Sequence, residues 1–238
     1  MNPRSILLAP LFVLATSLGG CSGGGDSAAG CRTTADCPAP ADACEVAVCD
    51  AGSGRCTTAA PVTLFSEDFA DNHAGWTLGP EWQIGQATAS SGEQSGFEDP
   101  ASDFTGEGGV AGVAIGGDAG VALPDPRHAA YYLTSPEVDT RVDGSVYLTF
   151  RRWLNSDYAP YMVSAVEVLD GDTWTVLWQT GDSRVADSSW TFQSLDLTPH
   201  KSAATRVRWG FSIGDPGVYR VSSWNLDAVK IQTAQCSE

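Results

Sequence analysis

An all-β fold, an antiparallel β-sandwich preceded by a small disulfide-rich module, is predicted by three features of this sequence. From Val62 onward, short runs of β-branched and aromatic residues alternate with polar ones, separated by Gly, Asp, Asn and Pro. All eight tryptophans fall in that part, which provides an ample core. Ahead of it, Cys31, Cys37, Cys44, Cys49 and Cys56 crowd into a stretch rich in Ala, Asp, Pro and Gly, and Cys236 follows far downstream.

Each strand is visible as a pattern. In "TRVRWGFSI", residues 205–213, Val207, Trp209, Phe211 and Ile213 face one side, with Arg206, Arg208, Gly210 and Ser212 on the other. "SVYLTFRRW" repeats this with Val146, Leu148 and Phe150. "YMVSAVEVL", then Asp170-Gly171-Asp172, then "TWTVLWQ" is a hairpin, because Asp-Gly suits a tight turn with positive φ. "WTFQSLDL", residues 190–197, adds another strand. The last, "SSWNLDAVKIQ", contains an anomaly. Unbroken alternation gives Asp227 the parity of Val229 and Ile231, and Trp224, Leu226 and Ala228 occupy the other face. Burying a bare carboxylate costs several kcal/mol. The chain must therefore supply a cation, a donor cluster or a bend.

The cysteines other than Cys21 are even in number, which in an exported chain predicts a disulfide framework. Zinc is disfavoured, because no C-x-x-C pair occurs and no histidine lies in the segment. Sequence does not choose among the connectivities. The five clustered cysteines cannot all pair among themselves, so one of them is expected to reach Cys236. The C-x5-C-x6-C-x4-C-x6-C spacing, with "TTADCP" and "GSGRC", resembles small Cys-rich modules that precede larger domains in myxobacterial surface proteins. The expected organisation is a signal segment at 1–20, a flexible tether at 21–30, the Cys-rich module at 31–60 and the sandwich at 61–236.

Export is predicted by Arg4 followed by "ILLAPLFVLATSL", an apolar run too short to span a bilayer as a helix. Leu18-Gly19-Gly20-Cys21 resembles a bacterial lipobox, which implies lipidation of Cys21 and placement at the outer membrane or cell surface. "SGGGDSAAG" suits the tether of such an anchor. With 13 Lys+Arg against 29 Asp+Glu, a net charge of −16, the chain repels nucleic acid and anionic lipid. The same acids are candidate ligands for a hard cation.

A family resemblance rests on an ordered set of segments: "SEDFADNHAGWTLGPEWQIG", "VAIGGDAG", "AYYLTSPEVDTRVDGSVYLTFRRWLNSD", "VEVLDGDTWTVLW" and "WNLDAVKI". Over about residues 62–232 the chain resembles the MAM-like and choice-of-anchor-type sandwich domains that accompany secreted bacterial peptidases. The resemblance implies a noncatalytic concanavalin-like jelly roll with a structural Ca²⁺. It also implies adjacent first and last strands, which would bring Glu67 and Asp68 near Asp227, with Asp118 as a further ligand. The family often has a second acid where this chain has Ala228.

Tests for catalysis fail at the sequence level. Gly210-Phe211-Ser212-Ile213-Gly214 matches G-x-S-x-G, but an elbow needs a strand-to-helix turn and a later histidine, and His200 precedes Ser212. Gly181-Asp182-Ser183 sits in a loop without the flanking apolar strand of a hydrolase signature. His73, His128 and His200 have no metal-spaced partners. Glu167 and Asp170 have opposite parity and form no glycosidase dyad. Binding fares better: "WLNSDYAPY" concentrates Trp153, Tyr158 and Tyr161 around a proline, suited either to stacking on a ligand or to closing the core. The sequence thus predicts a lipid-anchored, noncatalytic recognition or adhesion protein for a glycan or protein partner. A secreted glycosidase or esterase, or a purely structural envelope component, is the alternative.

Overall fold

Two disulfides, rather than an apolar core, hold the N-terminal module together. Strands β1 (Val46–Asp50) and β2 (Arg55–Ala59) form a hairpin in which Cys49 stands opposite Cys56. Cys49 bonds Cys31 and Cys56 bonds Cys37. Within the module only Cys31 is buried, so the cross-links replace a core too small to form. The sulfurs of Cys31, Cys37 and Cys49 lie within 4.8 Å of one another, but all three are committed to these bonds.

The computed structural model describes residues 30–90, 97–117, 127–215 and 223–237. The expected signal segment, Cys21 and Asp118 therefore lie outside the described residues. None of the described helices is long and apolar enough to cross a membrane.

The main body is an antiparallel β-sandwich. Its larger sheet centres on β14 (Ser223–Gln232), which pairs along its length with β8 (Tyr147–Ser156). The other side of β14 is shared by β6 (Val110–Val113) and β3 (Thr63–Glu67). β5 (Trp82–Gly85) extends the sheet beyond β6, whereas β11 (Val185–Ala186) and β12 (Thr191–Asp196) extend it beyond β8. The smaller sheet runs β10 (Thr173–Gln179), β9 (Met162–Asp170), β13 (Val207–Ile213), β7 (His128–Thr134) and β4 (Thr77–Leu78).

The predicted faces hold for most strands. Val207, Trp209, Phe211 and Ile213 are buried, as are Val146, Leu148 and Phe150. They meet Trp76, Trp82, Leu154, Val166, Val168 and Trp224 in one core between the sheets. β9 and β10 form the expected tight hairpin, with Asp170 opposite Thr173 and Gly171 at φ +59°. Hydrogen bonds join the segments flanking the sandwich to each other and to the module. Val62 N–H donates to the Thr233 hydroxyl, and Gln235 N–H donates to the Ala43 carbonyl at 3.1 Å.

One expectation is corrected. Asp227 does not share a face with Val229 and Ile231. The pairing of β14 with β8 slips between Asp227 and Lys230, where Ala228 takes a left-handed conformation at φ +48°. The bulge inserts one residue and reverses parity beyond it. Trp224, Leu226, Val229 and Ile231 consequently all enter the core, and Asp227 turns to the outer face of the larger sheet.

Candidate functional site

A strap of chain covers that outer face. Residues 97–109 cross β8 and β14 before entering β6, and each strand contributes hooks for it. Asn155 binds the backbone of Phe97 through both amide atoms. Trp153 Nε1 donates to the Glu98 carbonyl at 3.1 Å, and Asn225 Nδ2 donates to Asp99 Oδ1 at 3.0 Å. Trp190 Nε1 donates to the Ser102 carbonyl, while the Arg151 guanidinium lies 3.9 Å from the centre of the Phe104 ring.

Asp227 is the last hook and is fully buried. Its Oδ2 accepts the Phe104 N–H at 2.6 Å, its Oδ1 accepts the Ala228 N–H at 2.5 Å, and Thr105 N–H contributes a further bond. Burial pushes its carboxyl up to about 6, against these N–H groups and with help from the nearby charge of Asp103. Asp103 moves the other way. Burial opposes its charge, but the Thr105 hydroxyl and the N–H groups of Gly108, Gly106 and Glu107 converge on Oδ2 and hold it below its ordinary value. The sequence demanded a cation, a donor cluster or a bend at Asp227, and both a bend and a donor cluster are present.

Glu67 and Asp68, expected beside Asp227, have duties of their own. Glu67 stands opposite Val229 across the β3–β14 pair, so the first and last strands are adjacent. Its Oε1 accepts from the N–H groups of Asp68 and Phe69, and its Oε2 accepts from the Trp76 indole at 2.9 Å. Asp68 Oδ1 accepts from Ala70 N–H, and the Asp68 carbonyl accepts from Gly109 N–H. Among the described residues, no three carboxylates bring oxygens within 4.8 Å of one another.

The expected aromatic cluster is divided. Trp153 stands on the strap-covered face, edge-to-face with Trp190 at 5.7 Å between ring centres. Tyr158 and Tyr161 pack against each other, 5.1 Å apart, in the turn leading into β9. Tyr158 is 40% exposed there.

The residues tested for catalysis have structural places. Ser212 lies within β13, not at a strand-to-helix turn. His200 Nδ1 meets Asp170 at 3.1 Å near the hairpin, and His128 stacks on Tyr131 with Glu81 3.8 Å away. Glu167 grips Arg208, so it is not paired with Asp170.

That last contact belongs to a feature that pattern reading missed. On the outer face of the smaller sheet, the Arg208 guanidinium lies between two rings, 3.6 Å from the centre of Tyr132 and 4.0 Å from that of Trp174. Its Nε donates to Glu167 Oε2 at 2.5 Å, which neutralises the cation in place. Gly210 makes room for the Tyr132 ring, since a Cβ there would collide with it. Val176 on the same face is 47% exposed. The result is a row of flat rings and polar edges spanning four strands, β10 to β7. Chemically it offers stacking surfaces and oriented donors and acceptors.

No family model matches the sequence, and no curated protein matches it. Among solved structures, the fold is similar to the CBM22-1 xylan-binding domain from Paenibacillus barcinonensis Xyn10C. The TM-score is 0.40 and the identity 13%, over 74% of this chain and 97% of that one. It is also similar to the K3 cleaved adhesin domain of Lys-gingipain from Porphyromonas gingivalis W83. There the TM-score is 0.38 and the identity 20%, over 73% of this chain and 100% of that one.

Proposed function

We propose that this protein is an exported, lipid-anchored, noncatalytic recognition protein that binds a neutral glycan on the outer face of its smaller sheet. The observation that carries this is the Tyr132–Arg208–Trp174 row. Rings held flat by a guanidinium present apolar faces to sugar C–H groups, and the ion pair with Glu167 leaves the platform locally uncharged. The larger sheet has its equivalent face closed by the strap, whereas Val176 on the outer face of the smaller sheet is exposed. Anchoring through Cys21 rests on the lipobox-like segment and the tether that follows it.

Calcium support at the Asp227 end belongs to the same proposal. Two oxygen ligands of the right kind lie there, the Asp227 and Asp103 carboxylates, close enough for one charge to raise the other's pKa. A carboxylate oxygen that accepts one N–H keeps a second lone pair for a cation. A bound Ca²⁺ would neutralise the two carboxylates and stiffen the junction of strap and sheet.

Affinity electrophoresis of the mature chain through gels containing xylan, cellulose derivatives or mixed β-glucan tests the binding. Retardation by at least one neutral polysaccharide, lost in Trp174→Ala and Tyr132→Ala but kept in Trp153→Phe, is expected. If no polysaccharide retards the folded protein, the glycan reading is wrong.

A further inference from the structure

We infer that Cys44 and Cys236 form a third disulfide, which fastens the N-terminal module to the end of the last strand. Cys31, Cys37, Cys49 and Cys56 are committed to two bonds, and Cys44 and Cys236 stand outside them. The residues just before each, Ala43 and Gln235, are joined backbone to backbone at 3.1 Å. That hydrogen bond brings the two cysteine-bearing segments side by side, as a disulfide between them requires. The anchorage is firm on the sandwich side: Gln232 Nε2 donates to the Cys236 carbonyl at 3.4 Å, Arg151 donates to the Ser237 carbonyl, and Cys236 is 7% exposed. On the module side Asp42 Oδ1 accepts the Cys44 N–H at 2.8 Å, fixing the turn that presents Cys44. Four bonded cysteines in the same small module show which chemistry its surroundings favour.

The difference in exposure assigns an order to the reaction. Cys44 is the more accessible thiol. As thiolate it attacks the disulfide of an oxidising thiol–disulfide partner of the exported compartment, forming a mixed disulfide and releasing one partner thiolate. Cys236, deprotonated, then attacks the Cys44 sulfur and expels the second partner thiol. One S–S bond is broken and one formed; the two electrons and two protons leave with the partner's dithiol.

Peptide mapping of the exported, folded full-length chain, alkylated before non-reducing digestion, tests this. The expected product is one linked peptide pair containing Cys44 and Cys236, two hydrogens lighter than its parts, that separates on reduction. In Cys44→Ser, Cys236 should become open to alkylation after unfolding, with the bonds from Cys31 to Cys49 and from Cys37 to Cys56 retained. Alkylation of both residues in the oxidised wild-type protein, or a linkage of Cys236 to any other cysteine, would overturn the inference.

Discussion

Asp227 is a carboxylate that the fold keeps dry, and its cost depends on pH. Its ordinary value of 3.8 is raised to about 6, so the folded state binds its proton more tightly than the unfolded state. Stability from this group is complete below about pH 4 and is lost as pH rises through 6. That difference corresponds to about 3 kcal/mol. In EDTA, chemical denaturation should therefore show stability falling between pH 4 and 6, with the slope reduced in Asp227→Asn. Calcium should flatten the same slope in the wild type, because it favours the ionised form; an unchanged slope would remove the cation from the proposal. At Gly210 the prediction is steric. Gly210→Ala should push the Tyr132 ring off its plane and weaken polysaccharide binding roughly tenfold, with little change in melting.

At the scale of elements, the strap is the piece the sequence hides best. Residues 97–109 show no period of two or of 3.6, because their bonds go to side chains on β8 and β14 rather than to a ladder. Trp153→Phe removes the bond to the Glu98 carbonyl, worth about 1 kcal/mol. Hydrogen exchange at Phe97 to Phe104 should then accelerate while β13 stays protected. The strands themselves were legible, since the core residues Leu148, Phe150 and Leu154 of β8 and Val207, Trp209, Phe211 and Ile213 of β13 follow simple alternation. The last strand was legible only in part. Its bulge rests on Ala228, a residue that carries no mark of a left-handed conformation, so counting parity placed Asp227 on the wrong face. The ring row was missed for a different reason. Trp174 reaches Arg208 across β9, a contact set by strand order, which no single strand reveals. The available signal was Arg208 beside Gly210 on the polar face of β13, in a chain short of basic residues.

The whole molecule is two bodies with very different means of cohesion: a cross-linked hairpin and a sandwich packed around tryptophans. A bond between Cys44 and Cys236 would close most of the chain into one loop. In the chain-entropy account such a bond contributes about 5 kcal/mol. Cys236→Ser should thus lower the melting temperature by on the order of 10 °C, measured by calorimetry without reductant.

The pairing of β3 with β14 has a mechanical meaning. β3 is the first strand of the sandwich, and only a few backbone bonds tie it to β14. If a cell surface holds the N-terminal end and a bound ligand pulls on the far face, tension entering through Val62 would peel β3 away bond by bond, as a zipper opens. A load path through Ala43 and Gln235 instead enters at the C-terminal end of β14, which is flanked by β8 on one side and by β6 and β3 on the other. Those ladders would have to shear together. The short junction behind the module thus decides whether the protein yields at its weakest strand or resists through its strongest.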